Sequence, residues 1–368
     1  MSSMRAAVVA GPNRKISIET IARPRPGRGE VLLKVEGCGA CHTDLHVLEG
    51  KYAFPYPCVL GHEVAGRVVE LGEGVETTEV GARVVASFVM PCGRCDSCGR
   101  GEDNLCEKFF AMNRGRGHLY DDTSRLARDS GQELAMFSAA GLAEYSVVPC
   151  HAVFPVPDEL DLRAASIVGC SVLTAYGAAR YGARLLAGQT VAVVAVGGVG
   201  LSLVQMARAF GASQIIAVDV RADKLDMARR LGATDTVDST ETDCAATVRR
   251  LTNGRGVDAA FEALGQPRTF EQAFMMTADG GVTVLVGVGI GDAAASIPLG
   301  YLLRHQIKIV GSYGGRPRTD MPVVLRMAAR GQLDLDAIIS GYRPLTDVQT
   351  VYHRLADGEV AGRVVLIP

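Results

Sequence analysis

Apolar residues fall in short runs between Gly and Pro breaks over the first third of the chain, and the period then changes. Arg5 to Val9 and Glu30 to Val35 are runs of this kind, which predicts strands. Val64 to Leu71, Arg83 to Val89 and Ala143 to Val148 continue the pattern, so this part is a compact, mostly β region. A short helix is expected to open within Cys41 to His46. Phe109 to Leu134 is polar, rich in Arg and Asp and without period, and is expected to form an irregular surface excursion. Phe154-Pro155-Val156-Pro157-Asp158 marks a boundary turn.

From Asp161 the apolar positions take a helical spacing, through Leu162, Ala165, Ile167 and Tyr176. Val191 to Val196 then reads as a buried strand. A turn with Gly197, Gly198 and Gly200 follows, and after it a helix running to Phe210. Ile215 to Asp219, Val257 to Glu262, Val282 to Val288 and Ile307 to Gly311 are further strands, with helices at Lys224 to Leu231 and Thr269 to Thr277. Strands alternating with helices predict a parallel, doubly wound sheet. The tail from Pro322 to Pro368 carries one or two helices and an apolar end, Val364 to Ile367, expected to pack back onto the first part. The organisation is α/β, with a mostly β domain at 1–160 and 313–368 and a nucleotide domain at 161–312.

A length of 368 residues supports this division, because one ordinary core does not grow that large. Charged residues are 21% of the chain and the net charge is -2, which gives no electrostatic case for nucleic acid or membrane partners. The longest apolar run, Val191 to Val204, is broken by Gly197, Gly198, Gly200 and Ser202 and falls short of the ~18 residues of a membrane span. No hydrophobic signal region follows Met1 to Arg5, so a cytoplasmic location is expected. Ten Cys in so long a chain, several of them clustered or beside His, point to metal binding in a reducing compartment.

Cys92, Cys95, Cys98 and Cys106 form a C-x-x-C-x-x-C-x₇-C pattern. Short loops close four thiolates on one ion and leave no open position, which describes a structural zinc. An Fe–S cluster uses similar spacing, but nothing else in the chain suggests electron transfer. A second cluster runs from Cys41 to Glu63: His42, Thr43, Asp44 and His46 follow Cys41, and Gly61-His62-Glu63 closes it. A thiolate and an imidazole suit Zn²⁺, and a catalytic zinc keeps one position open. A third ligand must come from elsewhere, and Cys170 in Val168-Gly169-Cys170-Ser171 is the candidate.

The strand, Gly-rich turn and helix around Gly197, Gly198, Val199 and Gly200 present backbone N–H groups to a pyrophosphate. Ala195 stands where the first glycine of the dinucleotide fingerprint belongs. Asp219 lies about 20 residues beyond the glycines, at the end of the next strand, where an acid accepts from the adenosine ribose. It favours NAD over NADP, although Arg221 and Lys224 lie just beyond it.

Together these motifs resemble the zinc-dependent medium-chain alcohol dehydrogenase family over essentially the whole chain. The resemblance implies a GroES-like catalytic domain and a Rossmann nucleotide domain. It implies Cys41, His62 and Cys170 as catalytic zinc ligands with Glu63 near the metal, and Cys92, Cys95, Cys98 and Cys106 around the structural zinc. Asp44 would orient His62. Thr43 would bind the substrate oxygen and pass its proton through the cofactor ribose to His46. His42 and Arg363 would contact the pyrophosphate; Val220 and Lys224 beside Asp219, and Val286 and Val288, would line the rest of the cofactor site. Phe88 and Tyr52 would line the substrate pocket. The reaction implied is hydride transfer to NAD from a zinc-bound alkoxide, interconverting an alcohol and an aldehyde or ketone. A homodimer or homotetramer is implied, often paired through the edge of the nucleotide-domain sheet, for which the strand after Gly280 is the candidate.

Arg114, Arg116, Arg316 and Arg318 flank Gly-rich loops, and one or two could bind a carboxylate or phosphate on the substrate. That alternative is a semialdehyde reductase or hydroxyacyl-CoA dehydrogenase; the competing view of these arginines is a solvated basic surface. A non-catalytic zinc and nucleotide binder should have lost part of the relay or the third ligand, and none of these is missing. His118, His151, His305 and His353 are read as ordinary surface or core residues. Cys38 forms a C-x-x-C with Cys41, but Cys41 is committed to the metal. Cys58, Cys150 and Cys244 are read as small buried hydrophobes.

Overall fold

The computed structural model describes residues 2–368 and divides into two units. The first comprises Met1–Cys170, Arg316–Ala329 and Ile339–Pro368; the second comprises Ser171–Gly315 and Arg330–Ile338. No single helix among the described residues is long and apolar enough to cross a membrane.

The first unit is built on two sheets. In one, the strand Ser3–Val9 pairs antiparallel with Ile16–Ala22 and on its other side with Cys58–Val59. In the other, Glu30–Gly39 is the hub: it pairs with Glu63–Leu71, with Tyr145–Pro149 and with the C-terminal strand Arg363–Ile367. All but one of its residues from Glu30 to Val35 are buried, Lys34 being the exception, so the strand is apolar on both faces. The register sets Gly39 opposite Glu63 and Val365 opposite Gly39, so three distant segments meet at one end of the sheet. The tail therefore packs onto the first part as its apolar end suggested.

The second unit is a parallel sheet of six strands in the order Asp235–Asp238, Gln214–Asp219, Thr190–Val194, Val257–Glu262, Thr277–Leu285, Lys308–Gly311. In chain order this is 3-2-1-4-5-6, the doubly wound Rossmann arrangement, whose ligands bind beyond the carboxyl ends of the strands. Its core joins Ala192, Val194, Ile216, Val218 and Ala260 to helix residues Val248, Ala273 and Met276.

Several elements differ from the sequence expectation. The strand foreseen at 83–89 stops at Ala86, and the one foreseen at 282–288 runs Thr277–Leu285, leaving Val286 and Val288 in the loop beyond its carboxyl end. That strand also has neighbours on both sides, so it is not an edge; Lys308–Gly311 is. The helical stretch from Asp161 is divided into Leu162–Ala165, a 3₁₀ turn Ser166–Gly169, and Ser171–Gly177. Phe109–Arg114 forms a π-helical turn inside the stretch expected to be irregular, and Leu126–Ala127 and Glu133–Met136 are short strands within or at the end of it.

Ala195 has φ 70, in the left-handed region. A Cβ there costs ~1–2 kcal/mol, which is why the fingerprint calls for glycine at this point. Ala195→Gly is therefore expected to stabilise the protein by about 0.5–1 kcal/mol after the added unfolded-chain entropy of glycine. An unchanged or lower denaturant midpoint would refute that.

Candidate metal centre and cofactor cradle

Cys41 caps the N-terminus of the helix His42–Leu48, which places Thr43, Asp44 and His46 within a turn and a half of it. His62 and Glu63 arrive at the start of the strand Glu63–Leu71. Gly61 makes this entry possible: its φ is +100, and a Cβ would meet the Leu142 backbone nitrogen at 2.6 Å. Cys170 follows the turn Ser166–Gly169, held down where Phe88 N donates to Gly169 O at 2.9 Å.

These segments bring donor atoms of Cys41, His62, Glu63 and Cys170 within 4.8 Å of one another, all buried. Tetrahedral zinc with Zn–S near 2.3 Å and Zn–N near 2.0 Å needs ligand atoms roughly 3.5–3.8 Å apart. The set fits that geometry with small rotations, and its two sulfurs and one ring nitrogen are the soft donors zinc prefers. The electrostatics agree. The adjacent Cys170 thiol, with Arg363 and His62, outweighs burial and holds Cys41 well below the usual thiol range, while Cys170 itself is pushed well above it. Burial opposes a charge on His62, yet the Asp44 carboxylate and the Cys41 thiolate raise it to about 10. Burial raises Glu63 to about 7 although Arg363 stands beside it.

Asp44 Oδ1 lies 3.0 Å from His62 Nδ1 and accepts from Gly61 N at 3.0 Å. That bond leaves Nε2 of His62 to face a metal. The Arg363 guanidinium reaches Glu63 at 3.2 Å and Cys41 Sγ at 3.5 Å. Gly39 leaves the room for this, because a Cβ there would stand 2.1 Å from Glu63 Oε2. Thr43 Oγ1 is 3.8 Å from Cys41 Sγ. His46 is half-buried, and burial lowers its pKa, favouring the neutral imidazole. His42 is exposed on the same helix.

Aromatic rings wall His62. Phe88 and Phe137 pack edge-on against its imidazole, with centroids at 6.1 and 5.8 Å, and Tyr52 and Phe54 pack edge-on against Phe137. Phe88 and Tyr52 are the two residues that the resemblance put in the substrate pocket; Phe137 had no such reading, because a lone Phe after a strand carries no local signal. Arg114 is buried too, with its guanidinium carbon 4.1 Å from the Phe137 centroid and close to the rings of Tyr52 and Phe109. The other three arginines lie elsewhere: Arg116 is exposed and paired with Asp122, Arg316 donates its main-chain N–H to Asp320, and Arg318 binds Asp103 and the Cys98 carbonyl.

Cys92, Cys95, Cys98 and Cys106 also gather within 4.8 Å. Cys95 and Cys106 sulfurs are 3.9 Å apart, and the backbone N–H groups of Cys92 and Cys95 donate to the sulfurs of Cys106 and Cys92. Four converging sulfurs with N–H donors fit a closed zinc site. Asp103, buried in this lobe, is bound by Arg318 at 2.6 Å, a tie the sequence did not reveal.

In the second unit the helix Gly198–Ala209 begins at Gly197 with no side-chain cap, so its first N–H groups are available to a ligand. A Cβ on Gly197 would meet nothing within 4 Å, whereas one on Gly200 would strike Ala195 O at 2.1 Å. The turn thus has an open cradle on one side and close packing on the other. Asp219 accepts from Val196 N at 2.8 Å through Oδ2 and from Val220 N and Arg221 N through Oδ1. The carboxylate is therefore fixed at the strand end beside the turn. Val220 is exposed there, Lys224 lies on the first turn of the following helix, and Val286 and Val288 occupy the loop after Thr277–Leu285.

Comparison with known proteins adds the following. Residues 27–158 match the alcohol dehydrogenase GroES-like domain family, and residues 198–330 match the zinc-binding dehydrogenase family. The probable S-(hydroxymethyl)glutathione dehydrogenase 1 of Schizosaccharomyces pombe is 34% identical over 98% of this chain and 96% of that protein. Benzyl alcohol dehydrogenase from Acinetobacter calcoaceticus superposes with a TM-score of 0.93 at 27% identity, over 100% of this chain and 99% of the other. Acetophenone reductase from Geotrichum candidum, solved with NAD, gives 0.83 at 27% identity, over 100% and 98%.

Proposed function

The chain belongs to the zinc-dependent medium-chain alcohol dehydrogenase family, and from that premise we propose that it interconverts an alcohol and an aldehyde or ketone, with NAD as the hydride carrier. One observation carries the reading: the buried convergence of Cys41, His62 and Cys170 beside Glu63, with Thr43 two residues beyond Cys41. Cys41, His62 and Cys170 would hold the zinc, which would supply Lewis acidity that makes a substrate hydroxyl easier to deprotonate. The remaining work belongs to side chains. Thr43 orients the substrate oxygen and takes its proton, and His46, half-buried on the same helix, exchanges that proton with solvent. NAD bound at the Gly197–Gly200 turn would supply the hydride acceptor, so that an alcohol losing two electrons and two hydrogens would become a carbonyl. In reverse, His46 and Thr43 return the proton. Phe88, Phe137 and Tyr52 keep water from the reacting atoms. Gly197, Gly198, Val199 and Gly200 bind the pyrophosphate, Asp219 with Val220 and Lys224 the adenosine ribose, and Val286 and Val288 the nicotinamide side. His42, exposed on the helix His42–Leu48, is assigned to the cofactor phosphates, while the Arg363 guanidinium is engaged with Glu63 and Cys41.

An assay of NAD with an alcohol panel is expected to produce reduced nicotinamide, and chelation is expected to stop it. No turnover on any alcohol would overturn the reading. The panel should pair a hydroxy acid with an uncharged alcohol of equal length. Arg114 favours the acid, since a guanidinium held over rings keeps its full charge close to the aromatic wall of His62. Equal rates on the two would remove the anionic-substrate alternative.

His46→Gln is expected to lower kcat/KM about 10-fold near neutral pH. That is less than the ~10²-fold or more of direct general acid–base catalysis, because His46 acts through Thr43. The deficit should shrink as pH rises and hydroxide takes over proton removal. A deficit independent of pH would exclude the relay.

A homodimer or homotetramer is supported by Leu299 and Leu303, 76% and 80% exposed on one helix, and by half-exposed Ile309 on the edge strand Lys308–Gly311. Ten free cysteines, six of them in the two donor sets, fit a reducing cytoplasm.

A further inference from the structure

The carboxylate that orients His62 is only half engaged. Asp44 is fully buried, and both of its hydrogen bonds, from His62 and Gly61, fall on Oδ1. Oδ2 is buried and has no hydrogen-bond partner. The Tyr352 hydroxyl, also fully buried, has none either. A buried acceptor or donor left unmade costs roughly 1–3 kcal/mol, so such atoms call for an explanation.

The two orphans belong to one another by placement. Tyr352 sits on the helix Val348–Ala356, which packs against the helix His42–Leu48 that carries Asp44. Burial, and the negative charges of the Asp44 carboxylate and the Cys41 thiolate, raise the phenol well above its ordinary pKa, so it keeps its proton to donate. The rest of the buried stripe on this helix is Val348, Val351 and Leu355. Phe would complete that stripe with no polar atom. A hydroxyl in this position is stabilising only if something accepts from it, and Asp44 offers an acceptor with nothing attached.

We infer that Tyr352 is a positioning residue of the metal centre: its hydroxyl donates to Asp44 Oδ2, fixing the carboxylate plane that aims His62. With only Oδ1 held, the carboxylate can turn about its Cβ–Cγ bond and let the imidazole rock. With both oxygens held, Nε2 is preorganised for the ion. Partners of metal-bound histidines are typically worth about 10–100-fold in metal affinity. Tyr352 stands one bond further out, which places it at the low end. The inference rests on the zinc site proposed above.

The test is Tyr352→Phe, which removes one oxygen from the fully loaded enzyme. Zinc transfer to a chromogenic chelator is followed for both sites of the same chain, the four-Cys site serving as internal control. The expected result is about 10-fold weaker zinc binding at the Cys41/His62/Cys170 site and an unchanged four-Cys site. Cobalt placed at the catalytic site should show a shifted visible spectrum. In an Asp44→Asn background, Tyr352→Phe should cost much less, because the acceptor it serves is already altered. Equal loosening of both sites, or unchanged catalytic-site affinity, overturns the inference. A wild-type chain with zinc only at the four-Cys site overturns the proposed function as well, so the two failures can be told apart.

Discussion

Cys170→Ser is expected to take the zinc content from two ions per chain to one and to lower turnover by on the order of 10³-fold. The ion count follows from the two separate donor sets. Serine keeps the size of the side chain, but its hydroxyl does not ionise near neutral pH and is a hard donor, so a Cys₂His set drops to two effective ligands. The ion supplies several kcal/mol of charge stabilisation, and each 1.36 kcal/mol is tenfold in rate. The four-Cys lobe shares no ligand with Cys170, so its zinc should remain and the protein should stay folded. Metal analysis and steady-state kinetics on the same preparation check this. Two retained ions, or activity within about 10-fold of wild type, would mean that Cys170 is not a ligand.

Arg363→Met is expected to cost about 3–5 kcal/mol of stability. Glu63 and Arg363 are both buried, the glutamate completely, and the guanidinium spans both carboxylate oxygens. Methionine fills much of the volume but leaves a carboxylate in an apolar site, and breaking a buried pair by removing one partner costs this much. Equilibrium denaturation measures the loss. Adding Glu63→Gln to the variant should restore most of it, because the unpaired charge and not the lost packing is the cause. A loss under ~1 kcal/mol, or no recovery in the double variant, would show that the pair is not what holds these segments together.

Arg363 also illustrates what a sequence can and cannot disclose. The resemblance assigned it to the cofactor phosphates. The structure places its guanidinium on Glu63, 300 residues away, and on Cys41. Arg318 is similar: from the sequence it was one of four arginines beside Gly-rich loops, and in the fold it binds Asp103, 215 residues distant. Phe137 and Tyr352 have no local pattern at all, yet one walls His62 and the other stands over Asp44's helix. By contrast, the Gly197–Gly200 turn and the four-Cys lobe were legible at once, because their partners lie within a few residues of one another. Asp219 was legible too, since one βαβ unit fixes its distance from the turn.

The chain's periodicity determined two kinds of domain, a parallel nucleotide sheet and a closed thiolate site. These depend on contacts that short loops enforce, and backbone geometry leaves little choice at that range. Tertiary structure alone decided which buried groups face one another: the hub strand Glu30–Gly39 brings Cys41, Glu63 and Arg363 to one end of its sheet. Side chains joined across hundreds of residues leave no spacing to read, since their distance is set by packing of whole elements and not by the chain between them.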